Sequence, residues 1–159
     1  MHDHLELRDD RLDSDVGAPL VRAQWLELLE RYGVPDADPD DLKADHLAPP
    51  HGVFLVAWVD GVAVSCGGIR QYDATTGEIK RMYTLPEARR RGISRVLLEE
   101  LEARAVAIGY TRLVLETGTR QPEAIALYTS SGYVPMTTFG VYRDSPNCRC
   151  FAKALPPGG

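Results

Sequence analysis

Residues 84–94 have the sequence Thr-Leu-Pro-Glu-Ala-Arg-Arg-Arg-Gly-Ile-Ser, and they separate two regions of different hydrophobic period. The runs 53–59, 62–70 and 78–85 before them are rich in β-forming residues. Residues 92–108 after them place apolar side chains at the spacing of one helix face. The stretch therefore predicts a loop that joins a strand to the N-terminus of an amphipathic helix.

The region before this loop is predicted to be an antiparallel meander. Val53–Val59 is a continuous apolar run typical of a buried strand, and Asp60-Gly61 is a favoured two-residue hairpin turn. The strands Val62–Arg70 and Glu78–Leu85 follow, with a turn between them. Gly67-Gly68 weakens the middle strand and indicates a bulge or a close backbone approach.

The N-terminal third is predicted to cover this meander with one strand and two helices. Leu5–Leu12 has the alternation of a short strand, and Pro19–Tyr32 has helical spacing with Gly33 as its stop. An acidic, proline-containing loop at residues 34–41 leads into a short helix that ends at about Leu47.

The C-terminal third adds two strand regions and a helix. Leu113–Leu115 is a short buried strand, Pro122–Ser131 is a helix, and Val134–Tyr142 and Cys148–Ala154 form a final pair of strands. Strand, helix and strand in succession predict a right-handed crossover with parallel pairing.

Together these elements predict an α/β fold of the mixed-sheet (α+β) kind, in which an antiparallel meander leads into one parallel βαβ unit. The chain has 159 residues, 44% of them hydrophobic and 26% charged, which is typical of one globular domain. We expect a single domain over residues 1–159, with flexible tails at residues 1–4 and 156–159.

Composition also restricts the location of the protein. No apolar run approaches the roughly 20 residues that span a bilayer, and the N-terminus lacks the basic and apolar regions of a secretory signal. The three cysteines show no disulfide framework, and Cys148-x-Cys150 places two thiols on one strand face, which is typical of packing. We therefore expect a cytoplasmic protein with no membrane contact.

The charge distribution disfavours nucleic acid as a partner. The net charge is −5, with −8 over residues 1–50 and +3 over residues 51–159. A globally acidic chain binds polyanions poorly, although the second half has room for a local anion site.

The loop at residues 84–94 is the best candidate for that anion site. Unpaired backbone N–H groups at a helix N-terminus attract phosphate, and a glycine such as Gly92 lets the backbone approach it closely. Arg89, Arg90, Arg91 and Arg95 add positive charge. These features predict a polyphosphate ligand; a solvated basic loop before a helix is the alternative.

The motif Arg89-x-x-Gly92-x-Ser94 resembles the acyl-CoA signature of the GNAT (GCN5-related) N-acetyltransferase superfamily, Arg/Gln-x-x-Gly-x-Gly/Ala. The upstream Thr84-x-Pro86 spacing is also similar. Ser94 replaces the usual Gly or Ala. Since Ser is small and backbone N–H donation does not depend on the side chain, we expect affinity for CoA to survive.

Residues 123–133 resemble the second signature of the superfamily, Ala-x-x-Leu-Tyr-x-x-x-Gly-Phe/Tyr. The two blocks occur in the expected order and are separated by one helix and one strand. The resemblance covers residues 53–133 well and the rest in outline, and it points to a bacterial subgroup whose members are mostly uncharacterised. Arg90 departs from a frequent Gly, and Gln121 stands where relatives usually have Asn.

The resemblance implies a GNAT fold with splayed central strands and a metal-independent, acetyl-CoA-dependent N-acetyltransferase that transfers the acetyl group directly in a ternary complex. It places the pyrophosphate on the loop amides, the adenosine 3′-phosphate near Arg90 or Arg95, and the pantetheine arm along the strand before the loop. The implied CoA-binding residues are Met82, Tyr83, Thr84, Arg89, Arg90, Arg91, Gly92, Ile93, Ser94, Arg95, Gln121 and Tyr128.

The resemblance also suggests the catalytic groups. Tyr128 would return a proton to the CoA thiolate, and the alternative is a tyrosine that only caps the core. Glu78 or Glu116 would act as the general base, directly or through water. For Glu78 the alternative is a solvated residue that pairs with Lys80 or Arg81.

The sequence does not identify the molecule that accepts the acetyl group. Arg70 and Arg81 on the central strands suit the carboxylate of an amino-acid-like acceptor, and the acidic loop at residues 34–41 suits a cationic amine or only keeps the chain in solution. A small amine, an amino acid, an antibiotic and a protein N-terminus or lysine are all compatible. The competing function is a non-catalytic acyl-CoA sensor. The superfamily often forms homodimers through its C-terminal strands, so a homodimer is a further alternative.

Overall fold

The computed structural model describes residues 4–33, 42–140 and 142–157, and its strands form one seven-stranded sheet in the order β1-β2-β3-β4-β5-β7-β6. The strands are β1 (Leu5–Asp9), β2 (Val53–Val59), β3 (Val62–Asp73), β4 (Thr76–Thr84), β5 (Arg112–Gly118), β6 (Val134–Met136) and β7 (Cys148–Ala154). The α-helices are α1 (Gly17–Tyr32), α2 (Ile93–Ile108) and α3 (Pro122–Ser130), and a 3-10 turn covers Ala44–Leu47. The predicted acidic loop at residues 34–41 and the outermost tail residues 1–3 and 158–159 lie outside the described residues.

The mixed α/β fold predicted from the sequence is confirmed. Strands β1 to β4 pair antiparallel in succession, and β4 pairs parallel with β5 after the crossover through α2. Strand β7 then pairs antiparallel with both β5 and β6. Among the described residues, no helix is long and apolar enough to cross a membrane.

Several element boundaries differ from the prediction by a few residues, and two differences are larger in consequence. Strand β6 ends at Met136 instead of Tyr142, because its pairing with β7 stops there and the chain turns at Gly140 with φ +82°. His4, expected in the flexible tail, belongs to the fold: its N–H donates to Asp60 Oδ1 at 3.1 Å, and its carbonyl accepts from the Asp60 N–H at 2.9 Å.

The sheet has two packed faces because successive side chains of a strand point in opposite directions. On one face, which we call the α2 face, Ile79 and Leu113 pack with Leu101 of α2 in the largest apolar cluster. On the other, the α1 face, Phe54 and Cys66 pack with Leu20 of α1. The two helices therefore cover opposite sides of the same central strands.

The parallel pairing of β4 and β5 stops halfway along both strands. It runs from Thr76 opposite Arg112 to Ile79 opposite Leu115. A register shift in the β3–β4 ladder follows at once, and Arg81 adopts φ +62°, so β4 bends as strands do at a bulge. Beyond this point the two strands diverge, and we call the space between them the gap.

Candidate active site

The edge of β4 that borders the gap carries the backbone groups of Met82 and Thr84. The Leu85 N–H donates to the Val64 carbonyl at 2.8 Å, so Leu85 is directed toward β3. Because the backbone groups of successive strand residues point in opposite directions, those of Thr84 and Met82 are directed away from β3 and into the gap.

Both carbonyls on this edge are already hydrogen-bonded to side chains. Gln24 Nε2 of α1 donates to the Met82 carbonyl at 2.9 Å, and Arg89 Nε donates to the Thr84 carbonyl, also at 2.9 Å. The N–H groups of Met82 and Thr84 are thus the donors that this edge offers to an extended chain or to a carbonyl oxygen in the gap.

The N-terminus of α2 lies next to this edge. Gly92 takes φ +78° as the cap residue and lets the chain turn sharply into the helix. The first backbone bond of the helix runs from the Val96 N–H to the Gly92 carbonyl at 3.1 Å. The N–H groups of Ile93, Ser94 and Arg95 therefore have no partner one turn earlier and present partial positive charge, which suits an anion.

The hydroxyl of Ser94 is directed at β4. Its Oγ lies 2.7 Å from Thr84 Oγ1, which in turn lies 2.8 Å from Ser65 Oγ. This chain of hydroxyls ties α2 to β3 and β4. The substitution of Ser for Gly or Ala in the signature consequently adds a tether and leaves the helix N-terminus open.

Arg89 contacts other parts of the protein. Its Nη2 donates to Glu27 Oε2 of α1 at 2.7 Å, its Nε donates to the Thr84 carbonyl, and its own N–H donates to the Pro86 carbonyl at 3.3 Å. The guanidinium therefore connects the loop before α2 to α1.

The positive charges that follow Arg89 are placed differently from one another. Arg90 and Arg91 have exposed side chains, and Arg90 adopts φ +65°. Arg95 donates from Nη2 to Ser130 Oγ at 2.7 Å and from Nη1 to Ser131 Oγ at 3.1 Å. Arg95 thus connects the first turn of α2 to the end of α3, while its charge stays near the helix N-terminus.

Tyr128 of α3 lies in the apolar cluster on the α2 face. Its side chain is 5% exposed and meets the Tyr133 ring edge-on, with the ring centroids 5.7 Å apart. Burial raises the pKa of Tyr128, so the phenol keeps its proton at neutral pH. The Tyr133 hydroxyl donates to Glu102 Oε2 at 2.9 Å, whereas no described residue hydrogen-bonds the Tyr128 hydroxyl. Of the two tyrosines, Tyr128 is the one with a proton to give.

Glu78 is buried on the α1 face, and it is the third residue of β4, not the first. Its side chain is 4% exposed; Arg70 Nε donates to Oε1 at 2.9 Å, and Lys80 Nζ lies 3.8 Å from Oε2. The solvated part of the alternative is therefore wrong, while its pairing with Lys80 is observed. The structure also gives Arg70 a partner inside the protein, the Glu78 carboxylate.

Glu116 lies within β5 opposite Cys150, on the same α1 face as Glu78. Cys148 Sγ is 3.7 Å from Glu116 Oε2. A Cβ at Gly140 would come within 2.8 Å of the same oxygen, so the backbone before β7 passes directly over this carboxylate. Both candidate bases therefore face the side of the sheet that α1 and the loop before β7 cover.

Aromatic side chains border the ionisable side chains of the α1 face. Tyr72, near the end of β3, packs edge-on against Phe139 with the ring centroids 5.2 Å apart. Burial lowers the pKa of the Arg81 guanidinium, whereas its electrostatic interaction with the nearby Tyr142 raises that pKa. The sequence did not single out Tyr72, Phe139 or Tyr142, because nothing in their spacing indicates that β3 and the loop before β7 meet.

One face of α1 forms hydrogen bonds or ion pairs with the three segments that border the gap: β4, the loop before α2, and the segment between β5 and α3. The sequence analysis did not predict these contacts. Gln24 reaches β4, and Glu27 reaches the loop before α2. Arg31 forms an ion pair with Glu123 and donates from Nη1 to the Arg120 carbonyl at 3.0 Å, which reaches the segment between β5 and α3. The polar residues at positions 24, 27 and 31 lie on one helix face. That polar stripe is the feature of the sequence that could have indicated these contacts.

The loop that holds Gln121 is attached to α1 as well. The Arg120 N–H donates to the Tyr32 hydroxyl at 3.1 Å, and Gln121 Nε2 lies 3.5 Å from the same oxygen. A Cβ at Gly118 would fall 1.9 Å from that hydroxyl, so a larger residue there would displace the Tyr32 side chain. Gln121 is the N-cap residue of α3 and follows β5 by three residues.

The comparisons with known proteins agree with this geometry. Residues 20–133 match the model of the acetyltransferase (GNAT) family. The chain is 41% identical over 137 residues to an IAA acetyltransferase of Azospirillum brasilense, which covers 83% of this chain and 89% of that protein. The chain belongs to the GNAT acetyltransferase family, and it is an N-acetyltransferase with acetyl-CoA as the acyl donor.

Solved structures show the same fold. A Klebsiella pneumoniae structure described as an acyl-CoA N-acyltransferase superposes with a TM-score of 0.77 at 30% identity, covering 95% of this chain and 97% of that one. A GNAT family acetyltransferase of Elizabethkingia anophelis with acetyl-CoA bound superposes with a TM-score of 0.71 at 16% identity, covering 97% of this chain and 100% of that one.

Proposed function

We propose that this N-acetyltransferase acetylates the primary amine of a small molecule that also carries a carboxylate. One observation carries the proposal: the ionisable groups on the α1 face are enclosed. The side chains of Glu78 and Lys80 are only 4% and 10% exposed. So enclosed a surface suits a small acceptor better than a protein side chain, and the IAA acetyltransferase relative supports that choice.

The charges on this face support an acceptor that brings both an amine and a carboxylate. Lys80 Nζ lies 3.8 Å from Glu78, whose other oxygen accepts a hydrogen bond from Arg70. These cations, together with Arg81 on the same strand, suit the carboxylate of an acceptor. The two carboxylates Glu78 and Glu116 are the groups that attract and deprotonate an ammonium.

On the donor side, we assign binding to the N-terminus of α2 and to the edge of β4. The N–H groups of Ile93, Ser94 and Arg95 take the pyrophosphate, with charge from Arg90 and Arg91. Arg90 is our candidate for the adenosine 3′-phosphate, because Arg95 is engaged with two serines.

The chemistry then divides between the two faces. Acetyl-CoA, when bound, supplies the thioester carbonyl that the amine attacks. Glu116 or Glu78 accepts the ammonium proton, and a β4 N–H stabilises the developing oxyanion. As the carbon–sulfur bond breaks, the Tyr128 hydroxyl protonates the thiolate. The nitrogen then loses its second proton, which restores the Tyr128 phenol directly or through water, so a neutral amide and a thiol are formed.

We place this reaction in the cytoplasm. The three cysteines Cys66, Cys148 and Cys150 are free in the structure. Free thiols are typical of proteins that work in a reducing compartment.

Calorimetric titration with acetyl-CoA tests the donor half of the proposal, with CoA lacking the 3′-phosphate as the control. We expect the parent to bind acetyl-CoA with micromolar affinity. Removing the 3′-phosphate from the ligand and substituting Arg90→Ala in the protein should each weaken this binding. Equal affinity of Arg90→Ala and the parent for both compounds would remove Arg90 from the donor site.

A screen of amines and amino acids for released thiol tests the acceptor half. We expect turnover with acceptors that carry a carboxylate and little with their amides. The pH–rate profiles of Glu78→Gln and Glu116→Gln then identify the base, since the variant that lacks it loses the acidic limb. Loss of that limb in neither variant would contradict both assignments, and turnover confined to peptides would contradict a small acceptor.

A further inference from the structure

The cysteines Cys148 and Cys150 form a compact cluster with Glu116 that the acetyl-transfer chemistry does not use. Cys148 Sγ lies 3.9 Å from Cys150 Sγ and 3.7 Å from Glu116 Oε2. All three ligand atoms lie within 4.8 Å of one another. Both cysteines are buried, with 5% and 2% of their surface exposed.

The backbone holds this cluster in place. Strands β5 and β7 pair antiparallel, with Glu116 opposite Cys150 and Gly118 opposite Cys148. Residues opposite one another in such a ladder share a face, as do alternate residues of one strand. Cys148 and Cys150 of β7 and Glu116 of β5 therefore direct their side chains to the same point. The three groups are thus arranged by the sheet itself and need no loop to close around them.

The distances match those between the ligands of a tetrahedral metal ion. Zinc binds thiolate sulfur at about 2.3 Å and carboxylate oxygen at about 2.1 Å. At a tetrahedral angle, these bond lengths place two sulfurs about 3.8 Å apart and a sulfur and an oxygen about 3.6 Å apart. The separations of 3.9 Å and 3.7 Å in the protein are close to both values.

The surroundings of the cluster also favour a cation. The carboxylate of Glu116 places a negative charge within 4.8 Å of both sulfurs. The Phe139 carbonyl oxygen lies 4.0 Å from Cys150 Sγ and adds another oxygen nearby. Two sulfurs with a carboxylate are a donor set that thiophilic ions prefer to hard ones such as magnesium.

We infer that Cys148, Cys150 and Glu116 form a binding site for a thiophilic metal ion, of which zinc is the model. Binding displaces the two thiol protons to solvent and forms two metal–sulfur bonds and one metal–oxygen bond. Three protein ligands leave one position for water. The ion is not part of the acetyl transfer, for which no metal is expected.

Occupation of this site has a consequence for activity, and this consequence rests on the proposed function. A metal ion on Glu116 removes that carboxylate from the acceptor and places a positive charge beside the amine that must lose its proton. Zinc should therefore inhibit by competing with the acceptor and should leave the affinity for acetyl-CoA unchanged.

Zinc binding itself is measured without any turnover, by competition with a chromogenic zinc chelator on the full-length protein. We expect one zinc per chain in the parent, and at least tenfold weaker binding in Cys148→Ser, Cys150→Ser and Glu116→Gln. Cys66→Ser is the matched control, because Cys66 is equally buried but lies on β3, and it should bind zinc like the parent.

Cobalt(II) provides a second measurement that does not depend on how well each variant folds. In the parent protein it should give the thiolate-to-metal absorption of a tetrahedral site. Absence of that absorption, or zinc binding that is equal in Cys148→Ser and the parent, would overturn the site. Zinc binding without inhibition would leave the site intact and contradict the role of Glu116 in the acceptor pocket.

Discussion

The donor side and the acceptor side that we propose differ in which chemical groups form them. The proposed donor side consists mainly of backbone N–H groups, from the edge of β4 and the first turn of α2, and these groups come from one stretch, residues 82–95. The proposed acceptor side consists of side chains that β3, β4, β5 and β7 contribute one or two at a time. A site made of backbone keeps its ligand while its side chains change, whereas a site made of scattered side chains can change its ligand without altering the fold.

The sharpest test of this contrast is Tyr128, the donor-side residue whose side chain we assign to the chemical step. Tyr128→Phe removes the proton donor and leaves the backbone cradle intact, so kcat should fall by about 10²–10⁴-fold with little change in acetyl-CoA affinity. Steady-state kinetics with calorimetric binding measures both quantities.

Tyr133→Phe is the matched control for this experiment, since the two rings touch and, within the described part of the chain, the Tyr133 hydroxyl has a partner, Glu102, and the Tyr128 hydroxyl has none. It should cost about 1 kcal/mol of stability and little activity. Equal kcat in Tyr128→Phe and the parent would show that no side chain on the donor side takes part in the chemistry.

The second test concerns backbone geometry. Valine at Gly92, where φ is +78°, strains the turn into α2 by about 1–2 kcal/mol and should weaken acetyl-CoA binding by about tenfold or more. Gly109→Val at the other end of the same helix provides the control, because Gly109 also has positive φ and open space around its Cβ.

Both glycine variants should lose thermal stability, and only Gly92→Val should lose affinity for acetyl-CoA. An equal loss of affinity in Gly109→Val would mean that general destabilisation of α2, and not the geometry of its N-terminus, controls donor binding.

The smallest effect is expected at Glu27, which joins α1 to the donor loop. Burial works to raise the pKa of Glu27, but its hydrogen bond with Arg89 and the charges of Arg89 and Arg31 outweigh this and hold the pKa below 4.5. The contribution of Glu27 to stability is thus complete above pH 4.5 and is lost as the pH falls further. Glu27→Gln should cost about 1 kcal/mol and weaken acetyl-CoA binding a few-fold.

Asp9→Asn is the control for Glu27→Gln. Asp9 pairs with Arg104 through two contacts of 2.7 and 2.8 Å on the far side of the sheet. It should lower thermal stability and leave acetyl-CoA affinity unchanged. If both variants weakened binding alike, the bond between α1 and the donor loop would have no specific part in holding the donor.

The sequence was sufficient for most of the fold because the strong patterns are local. The apolar run Val53–Val59 and the Asp60-Gly61 turn mark β2 and the first hairpin, and both were predicted at their observed positions. The two signature blocks located the N-terminus of α2 and Tyr128. The end of β6 was missed because its strand-like composition continues past Met136, where the pairing with β7 stops.

The acceptor side could not be predicted in the same way because its contacts join residues far apart in the chain. Glu78 and Glu116 were chosen as candidates, but the partners that define them, Arg70 and Cys148, become visible only when the strands are paired. Arg89 was assigned to the ligand because the signature contains an arginine there. Its bond to Glu27 depends on where α1 crosses the sheet, which no pattern in the sequence specifies.

The capped carbonyls of Met82 and Thr84 also bear on strand addition at the gap. A gap within a sheet exposes strand edges, and unpaired edges attract strands from other molecules. Gln24 and Arg89 already donate to the two carbonyls on this edge, so an added strand competes with them for its acceptors. The same two side chains that border the gap therefore make this edge a poorer template for a further strand.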